Sequence, residues 1–220
     1  MAKKIKISRK ELLKEPDQFM SSSEKAMLFF NENRATVIGG FLIIMVAGLS
    51  FFGYQNYRLS QVMKNEALYF NMLEIVKTKE EITERLLKIR DQIELRSHRN
   101  RASLLLGDVY LKNNNINGAQ ETYEEILNNS QGINHDMATI GLAYTYEAKN
   151  EFKKAISLYK LVVDSNNAFP LFQVYWSMVR CHVNNNEKSN ALLVLREMQI
   201  KFSGPDELEK IDKRIRQLST

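Results

Sequence analysis

The chain of 220 residues is 44% hydrophobic and 26% charged, which fits one ordinary core with an appendage better than two domains. Three prolines and nine glycines are too few to punctuate many short strands, so helix is the expectation. The net charge of +5 is gathered at the start, with eight Lys/Arg against five Asp/Glu in residues 1–34 and a near-balanced 23 against 21 in residues 55–220. That balance argues against the one-sided basic face of a nucleic-acid-binding body, and a single cysteine, Cys181, excludes an internal disulfide.

Residues 1–34 read as a basic tail. Lys3, Lys4, Lys6, Arg9 and Lys10 form a run that is either solvated or set against anionic lipid or an acidic partner. Ser21 and Glu24 have capping-box spacing ahead of Ala26, Met27, Phe29 and Phe30, predicting a short amphipathic helix. Residues 35–54, ATVIGGFLIIMVAGLSFFGY, carry no charge, and twenty helical residues span one bilayer core. Their Val, Ile, Leu and Phe residues each favour insertion by roughly 0.3–0.6 kcal/mol. A cleaved signal peptide is the rival reading, but the preceding segment is long for an n-region and no small-x-small site follows, so a retained transmembrane helix is expected. The basic tail predicts a cytoplasmic N-terminus, although Lys25 and Arg34 on one flank nearly match Arg58 and Lys64 on the other. Ala35 with Gly39, and Thr36 with Gly40, have the small-xxx-small spacing of a helix contact within the membrane, or are ordinary glycines of such a span.

Residues 55–99 predict a degenerate helix pair. Leu59, Val62, Met63, Phe70 and Leu73 continue the helical period. Ile82, Leu86, Ile89 and Ile93 form a second amphipathic stripe, with Glu81–Arg85 and Glu84–Lys88 pairs at i,i+4. In residues 100–203 a period of 36 emerges. Ala119, Ala155 and Ala191 share it, as do Asn114, Asn150 and Asn186. Leu106, Leu142 and Met178 fall in the same frame, with Gly107, Ala143 and Val179, with Tyr110, Tyr146 and His182, and with Tyr123, Tyr159 and Leu195. Small residues permit close helix crossing, aromatics fill the space beside it, and asparagine tolerates the positive φ of a turn. In residues 204–220, Gly204-Pro205-Asp206 starts a helix whose Leu208, Ile211, Ile215 and Leu218 make one stripe, with Lys213, Arg214 and Arg216 on its outer side. The stripe suits a capping helix, or a coiled-coil seam to a second chain.

The periodic residues resemble the tetratricopeptide pattern. Leu106, Gly107, Tyr110, Ala119 and Tyr123 match it fully, and Leu142, Ala143, Tyr146, Ala155 and Tyr159 nearly so. The third unit departs at Val179 and His182. Against the family's 34-residue repeat, the spacing of 36 implies two extra residues near Gln131–Asn134 and Asn167–Phe169. The resemblance implies an all-α solenoid of helix hairpins on the single N-terminal transmembrane helix. It also implies a concave groove lined by the first helix of each pair: Arg101, Leu104, Asp108 and Leu111; Met137, Ile140, Tyr144 and Glu147; Gln173, Trp176, Arg180 and Val183. Such a trough suits an extended polypeptide, with Arg101, Arg180 and Glu147 for polar registration, unless a neighbouring helix or a second protomer fills it. The carboxylate clamp of chaperone-docking repeats wants lysine and asparagine where Leu104 and Asp108 stand, which disfavours that ligand class.

No enzyme is expected. His98, His135 and His182 are scattered, no glycine-rich phosphate loop or metal-spaced His/Cys cluster occurs, and no cofactor is implied. Cys181-His182 is the one suggestive pair, yet adjacent helical residues diverge by about 100° and no carboxylate orienter is in register. Phe29, Phe30, Glu32, Asn33 and Arg34 running into a glycine-containing span, followed by a repeat domain, resemble the YfgM-like family of bacterial inner-membrane proteins over residues 24–205. That resemblance implies an ancillary subunit of the Sec translocon, its repeat domain periplasmic and in contact with translocon subunits, emerging polypeptides or periplasmic chaperones. The long tail, the balanced repeat domain and the extra C-terminal helix depart from the family. A homo-oligomeric scaffold of an envelope complex is the alternative.

Overall fold

The computed structural model describes residues 22–77, 82–165 and 170–219, and every regular element among them is a helix. In chain order these are α1 (Ser22–Glu32), α2 (Arg34–Lys77), α3 (Ile82–Gln92), α4 (Arg96–Lys112), α5 (Ile116–Asn129), α6 (Ile133–Ala148), α7 (Phe152–Asp164), α8 (Phe172–Asn184), α9 (Lys188–Lys201) and α10 (Pro205–Ser219). Two compact units divide at Leu59/Ser60.

The first unit holds α1 and the start of α2. Asn33 interrupts the helices only in name, since its N–H donates to Phe29 O and its carbonyl accepts from Val37 N, both at 3.0 Å. Arg34 is tied back to Asn31 Oδ1 at 2.7 Å. The capping-box residue Ser21 and the basic run lie outside the described residues, as does Glu81 of the first predicted i,i+4 pair. Helix α2 contains one stretch long and apolar enough to cross a membrane, none of it buried in protein. Phe41, Ile43, Ile44 and Phe52 are all exposed. A Cβ placed on Gly39 or Gly40 would meet nothing.

The second unit, from Ser60, is a row of helix hairpins. Each helix from α3 onward packs on the next, and α4 also packs on α6. That is how units unable to bury one apolar face alone form a continuous core. Three hydrophobic clusters follow one another along the row: Met72, Leu86 and Leu106 in the first, Leu104, Tyr123 and Leu142 in the second, and Tyr159, Tyr175 and Leu195 in the last. The 36-residue period reappears as geometry. Asn114, Asn150 and Asn186 have φ of 59°, 61° and 60°. At each, the following N–H reaches back five residues, Asn115 to Tyr110, Glu151 to Tyr146 and Glu187 to His182, all at 2.8 Å. This is a Schellman stop at the end of each first helix, with asparagine in the left-handed position. The inserted residues near Gln131–Asn134 fall where Gly132 takes φ of 64° and α6 begins. The second insertion lies outside the described residues.

Tyr123 explains the small positions more fully than the repeat pattern does. Its ring passes between two helix backbones, where a Cβ on Gly107 of α4 would come within 2.7 Å of it and a Cβ on Gly141 of α6 would clash as well. Gly141 lies outside the repeat motif, and the residue one period earlier is Leu105.

The stripe expected on the first pair is corrected. Leu59, Val62, Met63 and Phe70 are exposed; Met72 and Ile75 are buried, with Leu68, Tyr69 and Val76 packed beside them. The inward face carries Asn65, which is 1% exposed. Its Oδ1 accepts from Glu94 N at 2.7 Å and Leu95 N at 3.1 Å, and its Nδ2 donates to Gln61 O at 2.7 Å. A buried amide oxygen that accepts two backbone N–H groups of the α3–α4 connection favours turning this side of α2 inward. The Glu84–Lys88 pair forms, at 2.8 Å on the surface.

At the far end, Ile211 of α10 is fully buried, and Ile215 and Leu218 pack against the last cluster. These three residues of the stripe pack within the chain, as a cap does.

Candidate protein-binding face

The first helices α4, α6 and α8 present the residues expected to line a groove, and polar links between helices account for most of the charged ones. Arg101 Nη1 donates to Glu66 Oε2 of α2 at 3.1 Å while its guanidinium lies 4.1 Å from the centre of the Tyr69 ring. His98 Nε2 meets the same carboxylate at 3.2 Å. Asp108 accepts from Tyr123 Oη at 2.6 Å. Crowding by protein raises the Asp108 pKa, an effect the Tyr123 hydrogen bond opposes, and burial lifts the Tyr123 phenol well above its ordinary value.

The strongest link joins α6 to α8. Arg180 clasps Glu147 with two nitrogens, Nε on Oε1 and Nη2 on Oε2, the latter at 2.8 Å. This two-pronged contact is one that a guanidinium can make and a lysine ammonium cannot. Hydrogen bonding to Glu147 raises the Arg180 pKa further. Tyr159 Oη donates to Glu147 Oε2 at 3.3 Å, and Tyr144 stacks edge-on against Tyr159 at 5.8 Å. Tyr144 Oη sits 3.4 Å from Ser177 Oγ. Arg101, Glu147 and Arg180, expected to register a bound chain, therefore hold neighbouring helices together.

The apolar members divide in three. Leu104 is buried at 6% exposure and belongs to the second cluster, so it is core rather than lining. Leu111, Ile140, Trp176 and Val183 are half-buried. Met137 and Tyr144, at 42% and 36%, are open, as is Gln173. Position five of the first repeat leans toward the neighbouring α6, where Leu104 joins Ala138 and Leu142.

Cys181 and His182 do not converge. Cys181 is fully buried in the last cluster, where desolvation pushes its thiol up to about 12. His182 Nδ1 lies 2.7 Å from Glu187 Oε2, a carboxylate that the expectation of no orienter overlooked because it comes from the turn before α9. Asn185 and Asn190 also donate to Glu187. The hydrogen bond from His182, followed by that from Asn190, holds the Glu187 pKa below the ordinary carboxylate range. The arrangement closes a turn.

Sequence reasoning placed Lys213 and Arg214 on the outer side of α10. They instead line a cleft with Trp176 and Arg180 of α8. Lys210, Lys213, Arg214 and Gln217 have i,i+3,i+4,i+7 spacing, a second stripe beside the apolar one, which is the signal that marks this face.

Among solved structures, the chain is similar to nearly identical TPR-like repeats from a Podosopora anserina protein designated a kinesin light chain. The TM-score is 0.51 at 17% identity, over 73% of this chain and 89% of that one. A point-substituted form of the same repeats gives 0.50 at 16% identity, over 72% and 92%. At such identity the likeness shows the fold alone. No curated protein matches the chain. The model of one family, described as a tetratricopeptide repeat-like domain, matches residues 28–169, from α1 through the second full hairpin. The chain belongs to the tetratricopeptide repeat-like domain family.

Proposed function

We propose that this chain is a membrane-anchored adaptor that binds other polypeptides through its repeat face, beside the Sec translocon of a bacterial inner membrane. Protein–protein interaction is the general business of tetratricopeptide-like repeats. The observation that carries the reading here is the exposed pair Met137 and Tyr144 on a first-helix face whose charged residues are already paired. A soft thioether and an aromatic ring offer loose apolar contact without a demand for one sequence.

Anchoring rests on the uncharged residues 35–54 and on the exposure of their apolar side chains within α2. In this topology the span is single-pass, the N-terminus is cytoplasmic and the repeats are periplasmic. The role as an ancillary translocon subunit rests on the resemblance of Phe29, Phe30, Glu32, Asn33 and Arg34, running into the span, to the YfgM-like family. Tethering raises the local concentration of the face, so weak binding suffices for emerging chains or periplasmic chaperones. The reading is of binding rather than catalysis, and it is supported by the burial of Cys181 and the engagement of His182 in a turn.

A photo-crosslinker at Met137 or Tyr144 in intact membranes should capture translocon subunits or emerging envelope polypeptides; recovery of self-crosslinks alone overturns the reading. Protease outside spheroplasts should digest the repeats and spare the tail.

A further inference from the structure

Helices α8 and α10 leave an open cleft of about 360 Å³ at the end of the repeat row. Trp176, Val179 and Arg180 line it from α8, and Lys210, Lys213 and Arg214 from α10. No carboxylate lines it. Arg180 is clasped by Glu147. Lys210 and Lys213 make no ion pair among the described residues, and Arg214 donates to the neutral Gln217 Oε1 at 3.1 Å. Of the acidic residues of α10, Asp206 and Glu209 line an adjoining hollow together with the same Lys210 and Lys213, and Asp212 accepts from Gln199 at 2.6 Å. Three cations thus converge on a cleft whose lining holds no carboxylate, while Lys210 and Lys213 also border the hollow that carries Asp206 and Glu209. Beneath them, the Trp176 ring is backed by Phe172, stacked at 6.0 Å.

We propose that this cleft binds a short acidic polypeptide segment, an apolar side chain resting on Trp176 and carboxylates reaching Lys210, Lys213 and Arg214. The inference rests on the protein-binding reading above and assigns it a subsite and a ligand chemistry. Charge complementarity selects the anion, and the space selects the carrier. A cleft of this size with one indole floor holds two or three side chains, whereas an acyl chain needs a longer apolar channel and a free phosphate leaves the indole unused. Guanidinium favours a forked carboxylate contact, and the two lysines tolerate variable positions, so the site reads charge density more than an exact sequence.

Trp176 is the chain's one tryptophan, so its fluorescence reports the cleft directly. The full chain in detergent micelles is titrated with a peptide of alternating Leu and Glu, with the same peptide carrying Lys for Glu, with inorganic phosphate, and with a short-chain phosphatidylglycerol. The acidic peptide should change Trp176 emission and bind at least about tenfold tighter than the basic one, with affinity falling as salt rises. Lys213→Glu with Arg214→Glu should lose about tenfold or more, and the milder Lys210→Gln a smaller share, with helicity by circular dichroism unchanged. Equal affinity for the two peptides, or acidic-peptide binding indifferent to these substitutions, overturns the proposal. Phosphate or the lipid saturating the same signal as tightly reassigns the cleft to a bare anion or a headgroup, which also overturns it. If crosslinks from Tyr144 still capture polypeptides while the peptide titration fails, only the cleft is refuted; loss of both removes the adaptor reading too.

Discussion

Tyr123 and Tyr159 occupy the same repeat position yet satisfy their hydroxyls differently. Tyr123 reaches Asp108, while Tyr159 meets Glu147 one helical turn further on, because the residue equivalent to Asp108 is Tyr144, whose ring fills the place of a carboxylate. The aromatic site is thus a property of the repeat and its acceptor a property of the pair. Since the Tyr123 ring leaves no room above Gly141, Gly141→Ala should cost about 1–3 kcal/mol in denaturant unfolding, although no motif names that glycine. Asn150 holds φ of 61°; Asn150→Gly should therefore leave stability within a few tenths of a kcal/mol, and Asn150→Val should lower it by about 1–2 kcal/mol. With the Cys181 thiol pushed up to about 12, only about one part in ten thousand is thiolate at pH 8. The folded protein should resist a thiol-reactive dye there and react promptly once unfolded in denaturant.

At the level of elements, the connection from α3 to α4 is held by the Asn65 amide and by Arg99 Nε, which donates to Ile93 O at 2.8 Å. Asn65→Ala leaves the Glu94 and Leu95 N–H groups without their acceptor, which should cost about 1–3 kcal/mol, and amide exchange should quicken first at those two residues. The hairpin stops were legible: positive-φ asparagine at a fixed period is a local property that residue type and spacing disclose. The face of α2 was not, because the whole segment after the apolar span is rich in Leu, Met and Phe, and hydrophobic spacing alone does not say that a buried amide will favour one side of it. Helix α10 was half legible. Its apolar stripe showed what it buries, but the cationic stripe reads as solvent-facing until α8 is set beside it.

For the molecule as a whole, a row of hairpins with separate hydrophobic clusters should lose stability piecewise. Ile211→Ala opens a cavity at the α8, α9 and α10 end of the last cluster, which extends back to Ala143 of α6 and Tyr159 of α7, at a cost of about 2–5 kcal/mol. Native-state hydrogen exchange should therefore weaken in those helices well before it changes in α3 and α4, as nearest-neighbour coupling in a solenoid requires. Uniform loss of protection along the row would show a single cooperative core instead.

By itself the sequence determined the helical class, the uncharged span of residues 35–54, the repeat period and the turn at each asparagine, since these depend on composition, periodicity and the φ/ψ tolerance of single residues. Only the tertiary structure decided that Arg101, Glu147 and Arg180 bind neighbouring helices, that Leu104 is interior, that Gly141 makes way for Tyr123, and that Lys213 and Arg214 border the Trp176 cleft. Those outcomes depend on which side chain of another hairpin arrives at a given face. Repeat spacing specifies that hairpins pack, whereas the partner of each charged group is set by the tilt and register between them.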